Sequence, residues 1–478
     1  MLRRTKILAT LGPATDGPGM MEKLVKAGVD VVRINFSHGA PEEHTRRVEM
    51  VRAAAAKLGR EVGVLVDLQG PKIRIERFKN GKIELAEGDS FILDALLGSN
   101  DGNQERVGVA YKSLPMDVKS GDTLLLDDGR IVLWVDSVVG QEVRCKVVHG
   151  GALSDRKGIN LQGGGLSAPA LTEKDKEDIK LAAKLKADYM AVSFPRSADD
   201  MHEARRLMLA AGGHANLVAK IERAEALKVL DEIIEASDAV MVARGDLGVE
   251  IGDAELPAVQ KHLISRSREL NRVVITATQM MESMIYNPIP TRAEVFDVAN
   301  AVLDGTDAVM LSAETASGKY PDKVVEIMGR ICIEAEKQTL ARTSDHRVHL
   351  QFQRVDEGIA MATMYMANHM DIKAIASLTE SGATPLWMSR ISSSRPIFAL
   401  TSCQETRRKV TLYRGVYPVD FSLPSTRDHA QVNKEVIDIL AKHGVVKDGE
   451  LVIITKGDLM GVKGGTNAMK VMRVGEQV

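Results

Sequence analysis

Several polar side chains stand two positions apart at the ends of short apolar runs. Arg33, Asn35 and Ser37 alternate with apolar residues, and one residue separates Lys220 from Glu222. Because side chains at positions i and i+2 of a strand share a face, each set presents its polar groups to the same side. Such a face is costly to bury without a ligand, which indicates a surface that binds an anionic molecule. The alternative is that these residues only cap their strands.

Two carboxylates, Glu222 and Asp246, stand at the ends of neighbouring predicted strands. Carboxylate oxygens suit Mg²⁺, which keeps coordination sites for water or substrate phosphates, and Mn²⁺ is the alternative ion. Lys220 adds a positive charge beside the two acids. The pair therefore predicts a magnesium site, against the alternative of an ion-pair network between Lys220 and the acids.

Hydroxyl groups and a further carboxylate follow the last two predicted strands. Thr278, Ser312 and Glu314 are residue types that can pass a proton through water. Together with the acid pair and the cations, they indicate metal-assisted chemistry on a phosphoryl group or on an enolate. The residue types alone do not choose between these two reactions.

Short aliphatic runs alternate with amphipathic segments of helical length over most of the chain, and these elements must position the polar residues. The alternation is typical of a parallel sheet with crossover helices. Eight strand–helix units predict an α/β fold, a (β/α)8 TIM barrel, in which catalytic groups stand at the C-terminal ends of the strands. The predicted strands are Lys6–Leu11, Val29–Phe36, Val62–Leu68, Asp188–Phe194, Asn216–Ile221, Ala239–Ala243, Arg272–Ala277 and Asp307–Leu311.

The regular spacing breaks once, between the third and fourth strands. Residues 71–166 form short alternating segments separated by Gly and Asp, which predicts an inserted all-β domain. Three consecutive glycines, at 163–165, end the insert, so we expect it to move as a lid, although an ordinary loop is the alternative. The catalytic barrel then comprises residues 1–70 and 167–345, and residues 346–478 form a C-terminal α/β domain.

The composition argues against several classes of protein. The 478 residues include 63 Lys and Arg against 65 Asp and Glu, which gives no electrostatic reason to expect a nucleic acid or a membrane as partner. Three widely separated cysteines predict neither a disulfide framework nor a zinc site and favour a reducing compartment. The apolar runs are too short for a membrane span or a signal peptide, so we expect a cytoplasmic protein.

Four strings at the predicted strand ends resemble pyruvate kinases. They are Arg-Ile-Asn-Phe-Ser-His-Gly from Arg33, Val-Ala-Lys-Ile-Glu from Val218, Val-Ala-Arg-Gly-Asp-Leu-Gly from Val242, and Thr-Ala-Thr-Gln-Met-Met-Glu-Ser-Met from Thr276. The resemblance covers essentially the whole chain. It implies phosphoryl transfer from phosphoenolpyruvate to ADP, giving pyruvate and ATP, as in the last step of glycolysis.

The resemblance also implies roles for individual residues. Glu222 and Asp246 would hold Mg²⁺, and Lys220 would stabilise charge on the phosphoryl group during transfer. Arg33 would clamp the phosphate. The implied substrate-binding residues are Arg33, Lys220, Gly245, Asp246 and Thr278.

The implied proton donor to the enolate is Thr278, or a water chain through Ser312 and Glu314. The implied nucleotide-binding residues are Asn35, Ser37, His38, Arg74 and, from the lid, Lys157. Lid closure would bring Lys157 onto the phosphates and exclude water, which protects the phosphoryl group from hydrolysis.

One departure from the family concerns potassium. Many members read Asp-Thr-Lys-Gly-Pro-Glu after the third strand and need K⁺, held at positions matching Asn35, Ser37, Asp67 and the carbonyl of Leu68. Here Lys72 replaces the glutamate. Because its ammonium is a compact monovalent cation, we expect it to take the place of K⁺, so that the enzyme belongs to a K⁺-independent bacterial type. The alternative is that Lys72 is a solvated hinge residue.

The C-terminal domain resembles the allosteric domain of the family. Thr379, Ser381, Gly382 and Thr384 form a loop that could cradle a phosphorylated effector. Ala383 stands where members that respond to fructose bisphosphate often have arginine, which argues against that effector. The resemblance further implies a homotetramer.

Two other functions remain open. A metal-dependent carbon–carbon lyase on the same barrel would also use a Mg²⁺ acid pair and an enolate, but it would have no use for a lid carrying Lys157. A non-catalytic metabolite sensor would have lost part of the catalytic set, which is complete here.

Overall fold

A closed ring of eight parallel strands occupies the centre of the molecule in the computed structural model, which describes residues 2–71, 73–342, 351–422, 429–458 and 464–476. The first and last strands pair directly, with Lys6 beside Ala308. This closure removes both sheet edges. The barrel strands are β1 (Lys6–Thr10), β2 (Val31–Asn35), β3 (Gly63–Asp67), β4 (Tyr189–Val192), β5 (Asn216–Ile221), β6 (Ala239–Ala243), β7 (Val273–Ala277) and β8 (Ala308–Leu311).

Helices cover the outside of the ring, as the alternation in the sequence predicted. Thr172 and Thr291 both begin helices with a capping box, closed by Asp175 and Glu294. Gly305 ends the second of these helices with a φ of 95°, a left-handed conformation that glycine adopts without strain. The helices of this region are Met20–Ala27, Pro41–Lys57, Glu173–Lys184, Ala198–Ala210, Leu230–Ala236, Arg244–Ile251, Leu256–Glu269, Arg292–Asp304, Ala313–Ala316 and Pro321–Ala335.

The segment between β3 and β4 folds as a separate β domain with its own apolar core, around Phe91, Leu133 and Val143. A six-stranded sheet and a two-stranded sheet make up this lid. One short helix, Leu114–Asp117, lies between two strands of the six-stranded sheet. The strands are Lys82–Leu85, Ser90–Asp94, Arg106–Gly108, Thr123–Leu126, Ile131–Val139, Glu142–His149, Gly151–Ser154 and Ile159–Leu161.

The C-terminal domain is a five-stranded sheet with helices packed around it. Four of its strands are parallel, and the last, which the sequence did not reveal, pairs antiparallel with its neighbour. In sheet order the strands are Val416–Asp420, Ile397–Thr401, Ile372–Leu378, Leu451–Lys456 and Ala468–Arg473, and the helices are Val355–His369, Ala383–Ser389, Gln404–Val410 and His429–Lys442.

The predicted fold class is therefore confirmed: a parallel barrel, an inserted β domain and a C-terminal α/β domain. The residues at which each domain begins and ends stay a prediction, and the boundary between residues 345 and 346 lies outside the described residues. In the described part of the chain, none of the helices combines the length and the apolar character that crossing a membrane requires.

Candidate active site

The polar residues predicted to end the barrel strands do gather at one mouth of the barrel, because parallel strands all end on the same side. Asp67 is at their centre, where β3 ends. Its carboxylate accepts a hydrogen bond from Arg33 Nε at 2.7 Å, and Lys220 Nζ lies 3.4 Å from its other oxygen. Only 1 % of the Asp67 surface is exposed. Burial by itself would raise the pKa of Asp67, but Lys220 and Arg33 outweigh it and hold that pKa below its usual value.

Lys220 is fixed from three sides. Its ammonium lies 2.9 Å from Glu222 Oε1 and donates to Ser193 Oγ at 2.8 Å, in addition to its contact with Asp67. Burial acts to lower the pKa of Lys220, yet Asp67 and Glu222 raise it above its usual value. The site thus holds the Lys220 ammonium in a set position with its charged form favoured. The two-residue spacing predicted that Lys220 and Glu222 share one side.

The two predicted metal ligands end adjacent strands, β5 and β6, which pair in parallel. Burial raises the pKa of Glu222 to about 7 despite the opposing effect of Lys220, and the charge of Asp246 adds to the rise. Burial likewise raises the pKa of Asp246. A buried and a half-buried carboxylate, both with raised pKa values, fit a divalent cation, which would stabilise both negative charges. No group of three or more His, Cys, Asp or Glu suited to a metal occurs in the described part of the chain. The pair Glu222 and Asp246 stays the predicted ligand set.

Thr278 has a strained backbone at the end of β7. Its φ is 66°, in the left-handed region that a β-branched residue rarely adopts. Arg244 holds this turn by donating to the carbonyls of Ala277 and Thr278, and Asp297 fixes Arg244 through both carboxylate oxygens. Thr278 Oγ1 accepts a hydrogen bond from the Gly245 N–H at 2.9 Å, so these two predicted substrate-binding residues are in direct contact.

Ser312 and Glu314 follow β8 and contact each other through the backbone. The Ser312 N–H donates to Glu314 Oε2 at 2.6 Å. Burial raises the pKa of Glu314 to about 7, although hydrogen bonds from backbone N–H groups oppose the rise. Near neutral pH this carboxyl group therefore holds a proton for part of the time, which is the property needed in a proton path.

The predicted nucleotide-binding residues are divided between two cavities. A cavity of about 450 Å³ at the mouth contains Arg33, Asn35, His38 and Ser312. A second cavity, of about 550 Å³ between barrel and lid, contains Ser37, Arg74, Lys157 and Asp246. Lys157 Nζ forms an ion pair with Asp127 of the lid at 2.7 Å.

The predicted effector loop lines a cavity of about 280 Å³ in the C-terminal domain, away from the barrel mouth. Thr379, Ser381 and Thr384 contribute to its wall together with Lys456, while Gly382 does not line it. Gly382 instead forms the turn behind the wall, with a φ of 81° and its N–H bonded to Thr379 Oγ1.

Lys72 lies outside the described residues, whereas the other positions of the predicted K⁺ region are described. The Leu68 carbonyl accepts a hydrogen bond from Ser193 Oγ at 2.7 Å, and the Asn35 side chain accepts one from the Ser37 N–H. Asp67 is paired with Arg33 and Lys220 as described above.

Sequence reasoning missed Ser193 and Asp127. Ser193 directly follows β4, so the rule that active groups stand after barrel strands could have found it. Asp127 carried a weaker signal, because it is followed by a second aspartate and acidic residues are common in ordinary turns.

Comparison with known proteins gives one consistent result. Residues 2–325 match the family model described as pyruvate kinase, barrel domain, and residues 357–472 match pyruvate kinase, alpha/beta domain. The chain is 57 % identical to pyruvate kinase II of Salmonella typhimurium over 477 residues, covering 99 % of both chains. It is 57 % identical to the pyruvate kinase of Haemophilus influenzae, covering 95 % of this chain and 96 % of the relative. It is 42 % identical to that of Geobacillus stearothermophilus, covering 98 % of this chain and 80 % of the relative.

Proposed function

Since the chain belongs to the pyruvate kinase family of phosphotransferases, we propose that the barrel mouth transfers the phosphoryl group of phosphoenolpyruvate to ADP, forming pyruvate and ATP. The observation that carries the proposal is the fixed ammonium of Lys220, held by Asp67, Glu222 and Ser193 next to the candidate metal ligands. Phosphoryl transfer needs positive charge at a set place, because negative charge spreads over the transferring oxygens.

Arg33 and Lys220 bind the phosphate of phosphoenolpyruvate in this proposal. Asp67 forms ion pairs with both side chains, so their positive charges are in position before the substrate binds. The two cations then need no reorganisation during the reaction. Glu222 and Asp246 hold Mg²⁺, or Mn²⁺, which supplies charge neutralisation for the substrate's carboxylate and phosphate. Gly245 and Thr278 seat the substrate beside them.

The enolate that remains after phosphoryl transfer needs a proton. Thr278, or water held by Ser312 and Glu314, delivers it. The raised pKa of Glu314, about 7, supports a role in this path because the group can both hold and release a proton near neutral pH.

The nucleotide binds across the two cavities. Asn35 and His38 contact it from the barrel, while Ser37, Arg74 and Lys157 approach from the cavity shared with the lid. Movement of the lid brings these two groups of residues together around the nucleotide and excludes water. Asp127 keeps the Lys157 ammonium oriented until the phosphates replace it.

The enzyme needs no K⁺ in this proposal, because Lys72 supplies the monovalent charge. The contacts of the region support this. The Leu68 carbonyl and both oxygens of Asp67 already have donors or cations within the chain.

A phosphorylated small molecule regulates the enzyme through the C-terminal cavity. The hydroxyls of Thr379, Ser381 and Thr384 and the ammonium of Lys456 line it and suit a phosphate, while Glu380 on the same wall disfavours a second anionic group nearby. The working enzyme is a homotetramer in the cytoplasm.

The test is pyruvate formation from phosphoenolpyruvate and ADP with Mg²⁺, in wild type and in Lys220→Gln. Loss of the fixed charge should lower kcat by about 10²- to 10³-fold and change the KM for phosphoenolpyruvate much less. Lys261→Gln is the matched control, since that lysine pairs with Asp304 on the outer helices and should leave kcat unchanged. Folded wild type that forms no pyruvate and binds no ADP would favour a Mg²⁺-dependent carbon–carbon lyase instead.

A further inference from the structure

A small cavity lies where the barrel meets the C-terminal domain, far from the mouth. Its volume is about 20 Å³. Arg4 and Arg268 line it from the barrel side, and Arg395 and Arg414 from the C-terminal domain. No carboxylate belongs to its described lining.

Backbone carbonyls satisfy many of the donors of these arginines. Arg4 donates to the carbonyls of Ala341 and Glu336, and Arg414 donates to those of Val302 and Thr306. Arg268 likewise donates to the Arg390 carbonyl at 2.9 Å. A carbonyl completes a hydrogen bond but carries no net charge. Carboxylates balance part of the charge of the cluster, since Arg395 lies 3.7 Å from Asp371 Oδ1 and Arg4 lies 3.6 Å from Glu336 Oε2.

Two buried carboxylates lie nearby, and each is shared among several donors. Asp307 forms an ion pair with Arg390, both almost fully buried, and also accepts from the Arg414 backbone N–H. Glu336 accepts from the backbone N–H groups of Arg4 and Thr5.

Two observations point to a missing anion. The buried Arg4 Nε has no hydrogen-bond partner in the described structure, with Glu336 Oε2 at 3.6 Å. Burial, followed by the charges of Arg414 and Arg390, lowers the pKa of Arg268 to about 10. Arginines that outnumber the carboxylates beside them, here Glu336, Asp307 and Asp371, are costly in a protein interior unless a further ion of opposite charge joins them.

We propose that this cavity binds one monovalent anion of about the size of chloride, which bridges the arginines of the barrel and those of the C-terminal domain. The volume accommodates one water-sized particle, since such a particle needs about 10–15 Å³ by the same kind of measure. A phosphate or a carboxylate ligand is too large for it. The site is separate from the proposed catalytic and effector sites, and its test does not depend on activity.

Bromide replaces chloride chemically and scatters X-rays anomalously, so crystals grown in bromide test the site directly. We expect an anomalous peak among the four arginines in wild type and in Arg395→Lys, which keeps the charge, and no peak in Arg395→Gln. A cavity that contains only water, or no peak in wild type, overturns the proposal.

Thermal unfolding provides the second measurement. Replacing gluconate by chloride at constant ionic strength should raise the apparent Tm of wild type by about 2 °C, in a saturable way. Arg395→Gln should lose this dependence whatever its own Tm, whereas Arg473→Gln, which removes an exposed arginine elsewhere, should keep it. Equal responses in Arg395→Gln and wild type would contradict the proposal.

Discussion

Asp67 illustrates how a buried carboxylate organises the residues around it. It pairs with both Arg33 and Lys220, and removing one partner of such a buried pair typically costs about 3–5 kcal/mol. The desolvation cost of these buried charges is offset only because every group has its partner. Ser193 Oγ accepts a hydrogen bond from Lys220 and donates one to the neighbouring carbonyl of Leu68. Any cation that joins this region must therefore fit around contacts that already exist.

Lys72→Glu should create a potassium requirement at this place. In tetramethylammonium buffer, wild-type activity should not change when K⁺ is added. The variant should lose at least about tenfold in kcat/KM without K⁺ and recover with it, because it loses the positive charge of the lysine and gains a carboxylate that can bind K⁺. Steady-state kinetics with and without K⁺ measures both effects.

Lys79→Glu is the control, since it makes the same charge reversal at an exposed position of the lid. The activity of Lys79→Glu should not change when K⁺ is added. Strong activation of the wild type by K⁺ would disprove the role of Lys72.

Individual residues of the site could be predicted where strand geometry alone decides their neighbours. The contact between Lys220 and Glu222 follows from their spacing. The link from Lys220 to Asp67 does not, because β5 and β3 are separated by β4 in the ring and only the closed barrel brings their ends together. The division of the nucleotide residues between two cavities depends on the position of the lid, which no local pattern encodes.

At the scale of elements, the connection from lid to barrel is held more firmly than its glycines suggest. The Gly163 N–H donates to the Glu250 carbonyl, and the Gly165 N–H donates to Glu225 Oε2. Arg223 donates to the carbonyl of Leu166 just beyond. The junction therefore has a defined position, from which the proposed movement of the lid would start.

Gly164→Ala should disturb this junction more than Gly163→Ala does. Both glycines have positive φ, so alanine strains either backbone, but only at Gly164 would the new Cβ lie 2.1 Å from Glu225 Oε2. We expect Gly164→Ala to lower kcat about tenfold with a small loss of stability, because the Glu225 carboxylate must move away and release the Gly165 N–H that holds the lid junction.

Gly163→Ala is the matched control because no atom lies within 4 Å of its new Cβ. It should show the backbone strain alone, about 1 kcal/mol or less. Urea unfolding and steady-state kinetics on both variants separate the two effects, and equal kcat values would argue against a role for the junction in lid movement.

Helices and strands could be predicted where a single periodicity of apolar residues dominates the sequence. All eight barrel strands were predicted, and every predicted end lies within two residues of the observed one. Their aliphatic runs are bounded by turn residues, which makes them easy to locate. The strand Ala468–Arg473 was missed because it lies partly exposed at the edge of its sheet and mixes charged with apolar residues.

At the scale of the whole molecule, the barrel carries apolar side chains that no described part of the chain covers. Tyr286, Ile289 and Phe296 are each about 70 % exposed, on the helix Arg292–Asp304 and the segment before it. Exposed aromatic and aliphatic side chains so close together are typical of subunit contacts. They support the proposed homotetramer.

Phe296→Glu should weaken that assembly, because burying a carboxylate in an apolar contact is unfavourable. Analytical ultracentrifugation at micromolar concentration should show dimers or monomers in place of tetramers. Leu209→Glu alters an equally exposed apolar residue on the helix Ala198–Ala210 and should leave the mass unchanged. A tetramer that persists in Phe296→Glu places the contact elsewhere.

The closure of the barrel between β1 and β8 also constrains how the protein is made. β2 can pair with one edge of β1 early, but the other edge waits for Ala308, about 300 residues later. At the usual rates of translation this delay lasts tens of seconds. During that time an apolar strand near the N-terminus has an open edge that invites wrong pairing. We therefore expect the barrel to close only after its eighth strand has left the ribosome.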